Sequence, residues 1–499
     1  MKTYSDPAVA RAALIRQGPA EWLLPITGRK PVILIANDAI MAGFDDGVFE
    51  QAVNTAEAPG IDQLIVGPDA HKGYGMPVGS ILLSKTHLYP GVVGPDICCS
   101  MSFLQTDLPD EALTDKRARR AVIEAICARI PTGAGSRQAP KASRFDEHEI
   151  AAAAIMGVSR IGFFGIPLEW AERCEVGVYG RHLVAGHALD LGDRVKTLFK
   201  DNPRIVSKLC QLGSYGGGNH FGEAQTVTVP EGMEALAGWF GIKSGKVGFL
   251  SHCGSRGFGF QLAASHFKGL ENHFHTWGIP LLGGERELIH APLGTQQAID
   301  YLTDMCLGAN FAVVNHLLIN RYVLEAFQEV FPGTKGDLVY HVSHNILREE
   351  AVNGSLQWVG RKGATRAFPA GHHALKGTLY ANTGHPILLP GNPEAGSYIM
   401  VGQAAAEKTA FSINHGAGRA MGRNQAKREL VQKDVDAQMA AHDIMYNGRS
   451  YPLDESPVAY KDFNAVIDSV EQAGLAKTVA KLTARFVIKD NDQSAEGAA

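Results

Sequence analysis

Residues 91–101, GVVGPDICCSM, constrain the fold more than any other stretch, because they set a carboxylate and two thiols beside a glycine-rich turn. Asp96 and Cys99 stand three apart, so a tight turn lets both reach one point while Cys98 points elsewhere. Such a pair cannot close a metal site alone. First-row divalent ions take about four to six donors, and the missing ones must be nitrogen ligands from other segments. If this pair does metal chemistry, the chain must fold so that distant histidines converge on it. The plain alternative is a core role, since cysteine is often buried.

The chain holds 19 histidines and 56 glycines, and the two occur together at strand ends. In IDQLIVGPDAHKGYGMPVG an apolar strand runs into Asp69 and His71, at a strand end of the kind that often carries function, though they read equally well as a turn former and a surface residue. LGSYGGGNHFGE delivers Asn219 and His220 to the head of a strand, with Glu223 behind. Flanking glycines let backbone approach a ligand without a Cβ clash. VGFLSHCGSRGFGFQ places His252 after a strand, then a loop with Arg256 that opens a helix and suits an anion. VYHVSHNILREE predicts a strand running into a helix start, carrying His344 and Asn345, with His341 a bystander. The run Arg361-Lys362-Gly363-Ala364-Thr365-Arg366 is the most basic short loop; it suits a phosphate or RNA backbone, or is a solvated turn. PGNPEAGSYIMVG reads as a Pro/Gly loop ending at Ser397, then a strand. In HGAGRAMGR, small residues after His415 leave room for a triphosphate, and Arg419 with helix N-terminal amides offsets its charge.

With 499 residues, 45% hydrophobic and 20% charged, core size is not limiting. Residues 110–205 turn alanine-rich and charged, which predicts amphipathic helices, with residues 117–120 as a solvated face. No repeat or Ser/Pro linker divides the chain, so one large domain over residues 1–490 is expected, with a helical insertion at about 110–205 and a disordered tail at 491–499. The expected class is α+β, with mixed sheets around a central metal cleft. Seven scattered cysteines and a start without an apolar signal core predict a reducing, cytoplasmic setting. No run of about 18 apolar residues is present, so no membrane span is expected. The net charge of -4 means that a polyanionic partner needs a local basic surface.

The stretches PDAHKGYGMPVG, VGPDICCSM, LGSYGGGNHFGE, SHCGSRGFGFQ, VSHNILREE, RKGATRAF, PGNPEAGSYIMVG, HGAGRAMGR and SPVAYKDF resemble, in wording and order, the RtcB family of RNA-splicing ligases over nearly the whole chain. The resemblance implies a pair of Mn(II) ions bridged by Cys99, one held also by Asp96 and His220, the other by His252 and His344. It implies His415 as the nucleophile guanylylated by GTP. The nucleotide would be held by Asn219, His220, Phe221, Gly222, Glu223, His344, Asn345, Pro390, Gly391, Asn392, Pro393, Ser397, Gly416, Ala417, Gly418, Tyr460 and Lys489. Arg256, Lys362, Arg366 and Arg419 are the candidates for RNA phosphates. The implied reaction joins an RNA 3′-phosphate or 2′,3′-cyclic phosphate to a 5′-hydroxyl, in RNA repair or tRNA splicing, and allows for an activating protein partner. Ligand softness alone would favour zinc, so manganese rests on the resemblance. Departures from the family pattern are Ser100 for a glycine, the second thiol Cys98, Gly422 for a serine and Lys72 for an aromatic residue. The rival readings are a metal-dependent phosphoesterase of RNA ends, which has no use for a histidine nucleophile, and a non-catalytic RNA-binding relative.

Overall fold

Two large sheets carry the architecture of this chain, whose computed structural model describes residues 3–4, 6–133, 135, 144–182, 184, 186–273 and 288–490. The expected tail at 491–499 lies outside the described residues. The first sheet runs Ile15–Gly18, Glu21–Leu24, Val32–Ile35, Ile61–His71, Val78–Ser84, Ser355–Lys362, Asn345–Val352. Its one parallel pairing is Val32–Ile35 with Ile61–His71. The second follows Gly336–Ser343, Ser100–Pro109, Lys246–Cys253, Phe221–Thr228, Ala476–Lys489, Ser397–Gly402, Pro386–Pro390 in antiparallel order. Central strands such as Lys246–Cys253 are buried on both faces and read as near-continuous apolar runs. The class is mixed α+β.

Helices cover the sheets where their apolar stripes can be buried. Lys116–Cys127, Glu147–Met156 and Gln296–Val330 share one core with the second sheet. Asp46–Glu57 and Phe463–Gln472 share another with the first. Their starts are capped by acidic side chains: Asp45 accepts from the Val48 amide and Asp462 from Asn464 and Ala465. Gln296–Val330 is long and apolar enough to cross a membrane, although the sequence carries no unbroken apolar run; its apolar window is entirely buried inside the protein. Its polar residues are tied to this fold: Asp304 pairs with Arg194 and His266, and Asn310 and Asn315 bond neighbouring loops.

The structure corrects three local expectations. Asn345 opens a strand, not a helix, because Asn353 and Gly354, both at positive φ, close Asn345–Val352 and Ser355–Lys362 into a hairpin. The basic run at 361–366 is not a solvated loop. Arg361 and Lys362 end one strand, Ala364–Arg366 forms another, and Gly363 at φ 57 makes the corner. Arg361 is fully buried in a bidentate pair with Glu350. Residues 117–120 are not uniformly solvated either: Arg119 is fully buried and its guanidinium forks onto the Asp443 carboxylate.

Candidate functional site

Antiparallel neighbours bring strand starts and strand ends to the same sheet edge, and here that rule gathers segments far apart in sequence. One cross-strand row in the second sheet reads Val342, Met101, His252, Phe221, Lys489. Cys99 precedes the strand that holds Met101, His220 precedes Phe221, and His344 follows Val342 by two residues. The Asp96–Cys99 turn is closed by the Cys99 amide on the Asp96 carbonyl, with Cys98 in the left-handed region. Cys98 turns its thiol away toward Tyr179 and the Ser100 hydroxyl, as its position between the two implied ligands requires. The His344 amide then bonds the Cys99 carbonyl at 2.9 Å, fixing the histidine against the turn.

The side chains converge. Cys99 Sγ lies 3.4 Å from His220 Nε2 and 3.1 Å from His252 Nε2, which is 3.2 Å from His344 Nε2. His220 Nε2 lies 2.8 Å from Asp96 Oδ2. Two ligand sets result, Asp96, Cys99, His220 and Cys99, His252, His344, with ligand atoms within 4.8 Å of one another. The donors suit a cation by a simple test. His220 gives its Nδ1–H to the Tyr215 carbonyl, which aims Nε2 at the Asp96 carboxylate oxygen. Two such atoms at that range call for positive charge between them, which a bound cation supplies. Burial and the neighbouring Asp96 push the Cys99 thiol well above its ordinary pKa, and burial with the adjoining imidazoles drives His252 and His344 well below theirs. Neutral imidazole is the metal-binding form, and a bound cation deprotonates a coordinating thiol.

His415 stands beside this cluster, its ring centroid 4.9 Å from that of His344. It follows the strand Ser412–Asn414, which pairs with Ala364–Arg366. The fully buried Asp69 carboxylate accepts both the His415 amide, at 3.1 Å, and Nδ1, at 2.7 Å. This fixes the Nδ1–H tautomer and leaves a lone pair on Nε2. Space around the ring depends on glycine: a Cβ at Gly363 would meet His415 at 2.9 Å, and one at Gly418 would meet the Asp69 carbonyl at 2.1 Å. The cleft in front of His415 has a volume of about 330 Å³, within the range of small-molecule sites. Every residue implied for the nucleotide lines it except His220 and Gly222. His252 and Arg419 also line it.

Residues 51–490 match the family model described as tRNA-splicing ligase RtcB. This chain belongs to the RtcB family. It is 34% identical to the tRNA-splicing ligase RtcB of Pyrobaculum aerophilum over 477 residues, spanning 92% of this chain and 94% of that protein. It is 33% identical to the RNA-splicing ligase RtcB of Mycobacterium tuberculosis over 453 residues, spanning 88% of this chain and 100% of that one.

Within this RtcB chain the four basic residues proposed for RNA are placed differently. Arg419 faces the cleft, stacked over Tyr460 at 5.2 Å. Lys362 is buried, its ammonium bonding the Tyr74 carbonyl. Arg366 is buried on Glu175 at 3.2 Å, and Arg256 is buried on Ser214 at 3.1 Å and the Gly133 carbonyl at 3.3 Å. Sequence reasoning missed other groups. Arg423 and Glu455 line the cleft, and Glu455 takes Lys489 at 3.0 Å, Arg423 at 2.7 Å and the Tyr460 hydroxyl at 2.6 Å. Burial opposes its charge, but Lys489 and Arg423 outweigh burial and hold its carboxyl down at about 2. Glu175 lies in the segment expected to hold only helices. It accepts the Ser343 amide and hydroxyl, at 2.7 and 2.6 Å, one residue before His344. Nothing in the sequence near Glu175 marks it. Asp69 had a signal, a charge at the end of an apolar strand.

Proposed function

We propose that this protein joins RNA 3′-phosphate or 2′,3′-cyclic phosphate ends to 5′-hydroxyl ends, using GTP and Mn(II) and a covalent histidine–GMP intermediate, in RNA repair or tRNA splicing. The observation that carries the reading is His415. A carboxylate holds its Nδ1–H, its ring faces a nucleotide-sized cleft, and the cluster of possible metal ligands stands against it. Hydrolysis of RNA ends has no use for such a nucleophile.

Asp96, Cys99 and His220 would hold one ion and Cys99, His252 and His344 the other; bound there, divalent cations neutralise phosphate oxygens during transfer. His415 Nε2 attacks the α-phosphorus of GTP, a P–N bond forms and pyrophosphate leaves. Asp69 keeps the Nδ1 proton and offsets the positive charge that grows on the ring, as a carboxylate does for other histidines in catalysis. GMP then passes to the RNA 3′-phosphate, and the 5′-hydroxyl attacks that activated phosphate and expels GMP, leaving a 3′,5′-phosphodiester. Glu223 in the cleft suits guanine, whose adjacent N–H groups can both donate to one carboxylate; adenine lacks that pair. Tyr460 and Lys489, tied through Glu455, also line the cleft. A ligand set that depends on a free thiol fits a reducing compartment, and we place the protein in the cytoplasm.

The test is incubation with Mn(II) and α-labelled GTP. Wild type should acquire an acid-labile label, the His415→Ala variant none. Label on the variant, or RNA joining by wild type without label, ends the proposal.

A further inference from the structure

In the SPVAYKDF stretch, Tyr460 lines the cleft but Lys461, beside it, does not. Lys461 is instead joined to both backbone segments that hold the His415–Asp69 pair. Its main-chain amide bonds the Gly418 carbonyl at 3.0 Å, three residues beyond His415. Its ammonium donates to the Pro68 carbonyl at 3.2 Å and to the Ala70 carbonyl, those of the residues before and after Asp69. The Phe44 ring lies 4.4 Å beneath the ammonium, so the charge is held on an aromatic face. Asp69 itself is fully buried, and its Oδ1 has no hydrogen-bond partner among the described residues. A buried carboxylate with a bare oxygen needs positive charge nearby and a backbone that cannot relax away from its task.

We infer that Lys461 is a positioning residue for the nucleophile: it clamps the Asp69 strand to the His415 loop and, through Asp69, holds the His415 imidazole in its reactive tautomer and direction. The inference rests on the reading of His415 as the guanylylated residue. Without the ammonium, the Pro68 and Ala70 carbonyls lose their shared donor, Asp69 loses its neighbouring cation, and Nδ1 loses a fixed acceptor. Burial brings the Lys461 pKa down to about 8 against the opposing pull of Asp69 and Asp45, so the ammonium is the main form at neutral pH. Its side chain takes no part in bond making, so removing it should slow the covalent step and leave nucleotide affinity in place.

The experiment is single-turnover guanylylation with Mn(II) and α-labelled GTP on the full chain, for wild type, Lys461→Met and Lys461→Arg. The maximal rate, the half-saturating GTP concentration and the final labelled fraction are read separately. Lys461→Met should lower the maximal rate roughly tenfold to a hundredfold, the scale of lost supporting hydrogen bonds. It should keep half-saturation within about twofold, and the final fraction should match wild type. Lys461→Arg, which keeps charge and donors, should recover most of the rate. A Lys461→Met rate within about twofold of wild type overturns the inference. So does a loss confined to the final fraction, which would mark a folding role, or an arginine variant as slow as the methionine one. If wild type itself takes no label, it is the ligase reading that fails.

Discussion

Glu223 is the residue whose charge state should be visible in nucleotide binding. Burial pushes its carboxyl up to about 7, against the opposing effects of the Gln225 amide and Lys489. The sign follows from which form binds: the ionised carboxylate accepts both guanine N–H groups, and the protonated form cannot. Above pH 7 the binding form is already present. Below it, each unit of acid removes about tenfold of that form, so the half-saturating GTP concentration should rise about tenfold per unit as pH falls from 7 to 5.5. Glu223→Gln should bind GTP weakly at pH 8 and lose this dependence. Equilibrium binding across pH decides it, and a wild-type profile flat from 8 to 5.5 counts against the assignment. At this scale Asp96, Cys99, His220, His252 and His415 drew attention through the glycines near them, which betray close backbone approach, whereas His344, with no glycine nearby, was named through the family resemblance. Asp69 showed only as a charge at the end of an apolar strand, and Glu175 not at all, because their work is done by contacts to residues 346 and 168 positions away and a single sequence carries no trace of such pairs.

Among the elements, the helix Arg423–Glu429 presents Arg423 to Asp454 and Glu455, at 2.7 Å each, and so sets one wall of the cleft. Its N-cap, Gly422, has extended backbone and makes no side-chain cap. A Cβ there meets nothing within 4 Å. Gly422→Ser should therefore bond an unsatisfied helix N–H and stabilise the protein by a few tenths of a kcal/mol, seen as a small rise in the denaturation midpoint. A fall would mean that the open cap serves something other than stability. Strand–loop–strand units were readable from apolar runs that end in glycine-rich loops. The hairpin at 345–362 was misread because the charged run in NILREEAV resembles a helix start, whereas the Asn353-Gly354 pair decides the matter. The buried basic strand at 361–366 was misread for a related reason: arginine signals surface until a partner such as Glu350 is known, and that partner is supplied by the fold.

For the molecule as a whole, the two sheets meet around imidazoles that burial keeps from protonating. Outside the implied metal ligands, burial drives His71 and His341 down to about 4 and His385 to about 3. Unfolded, each returns to about 6.5. Above that value neither state is protonated and these groups do not make stability depend on pH. Below it the unfolded chain takes up protons that the folded chain refuses, so stability falls with acid from about 6.5 to the folded values, by up to about 1.4 kcal/mol per histidine per pH unit. His341 offers the clean test. It is buried in the strand Gly336–Ser343 against His316, and neither ring nitrogen has a hydrogen-bond partner among the described residues. Phenylalanine there gives up no hydrogen bond and never titrates, though it adds a little volume. His341→Phe should thus lie within about 1.5 kcal/mol of wild type at pH 7.5. Relative to wild type it should gain about 1 kcal/mol on going to pH 5.5, because one proton-binding site has been removed from the unfolded chain. Denaturant midpoints at the two pH values measure that difference directly. An equal acid sensitivity in both proteins would mean that His341 is protonated in the folded state, and the acid lability would then have to come from His71, His385 and the other buried imidazoles.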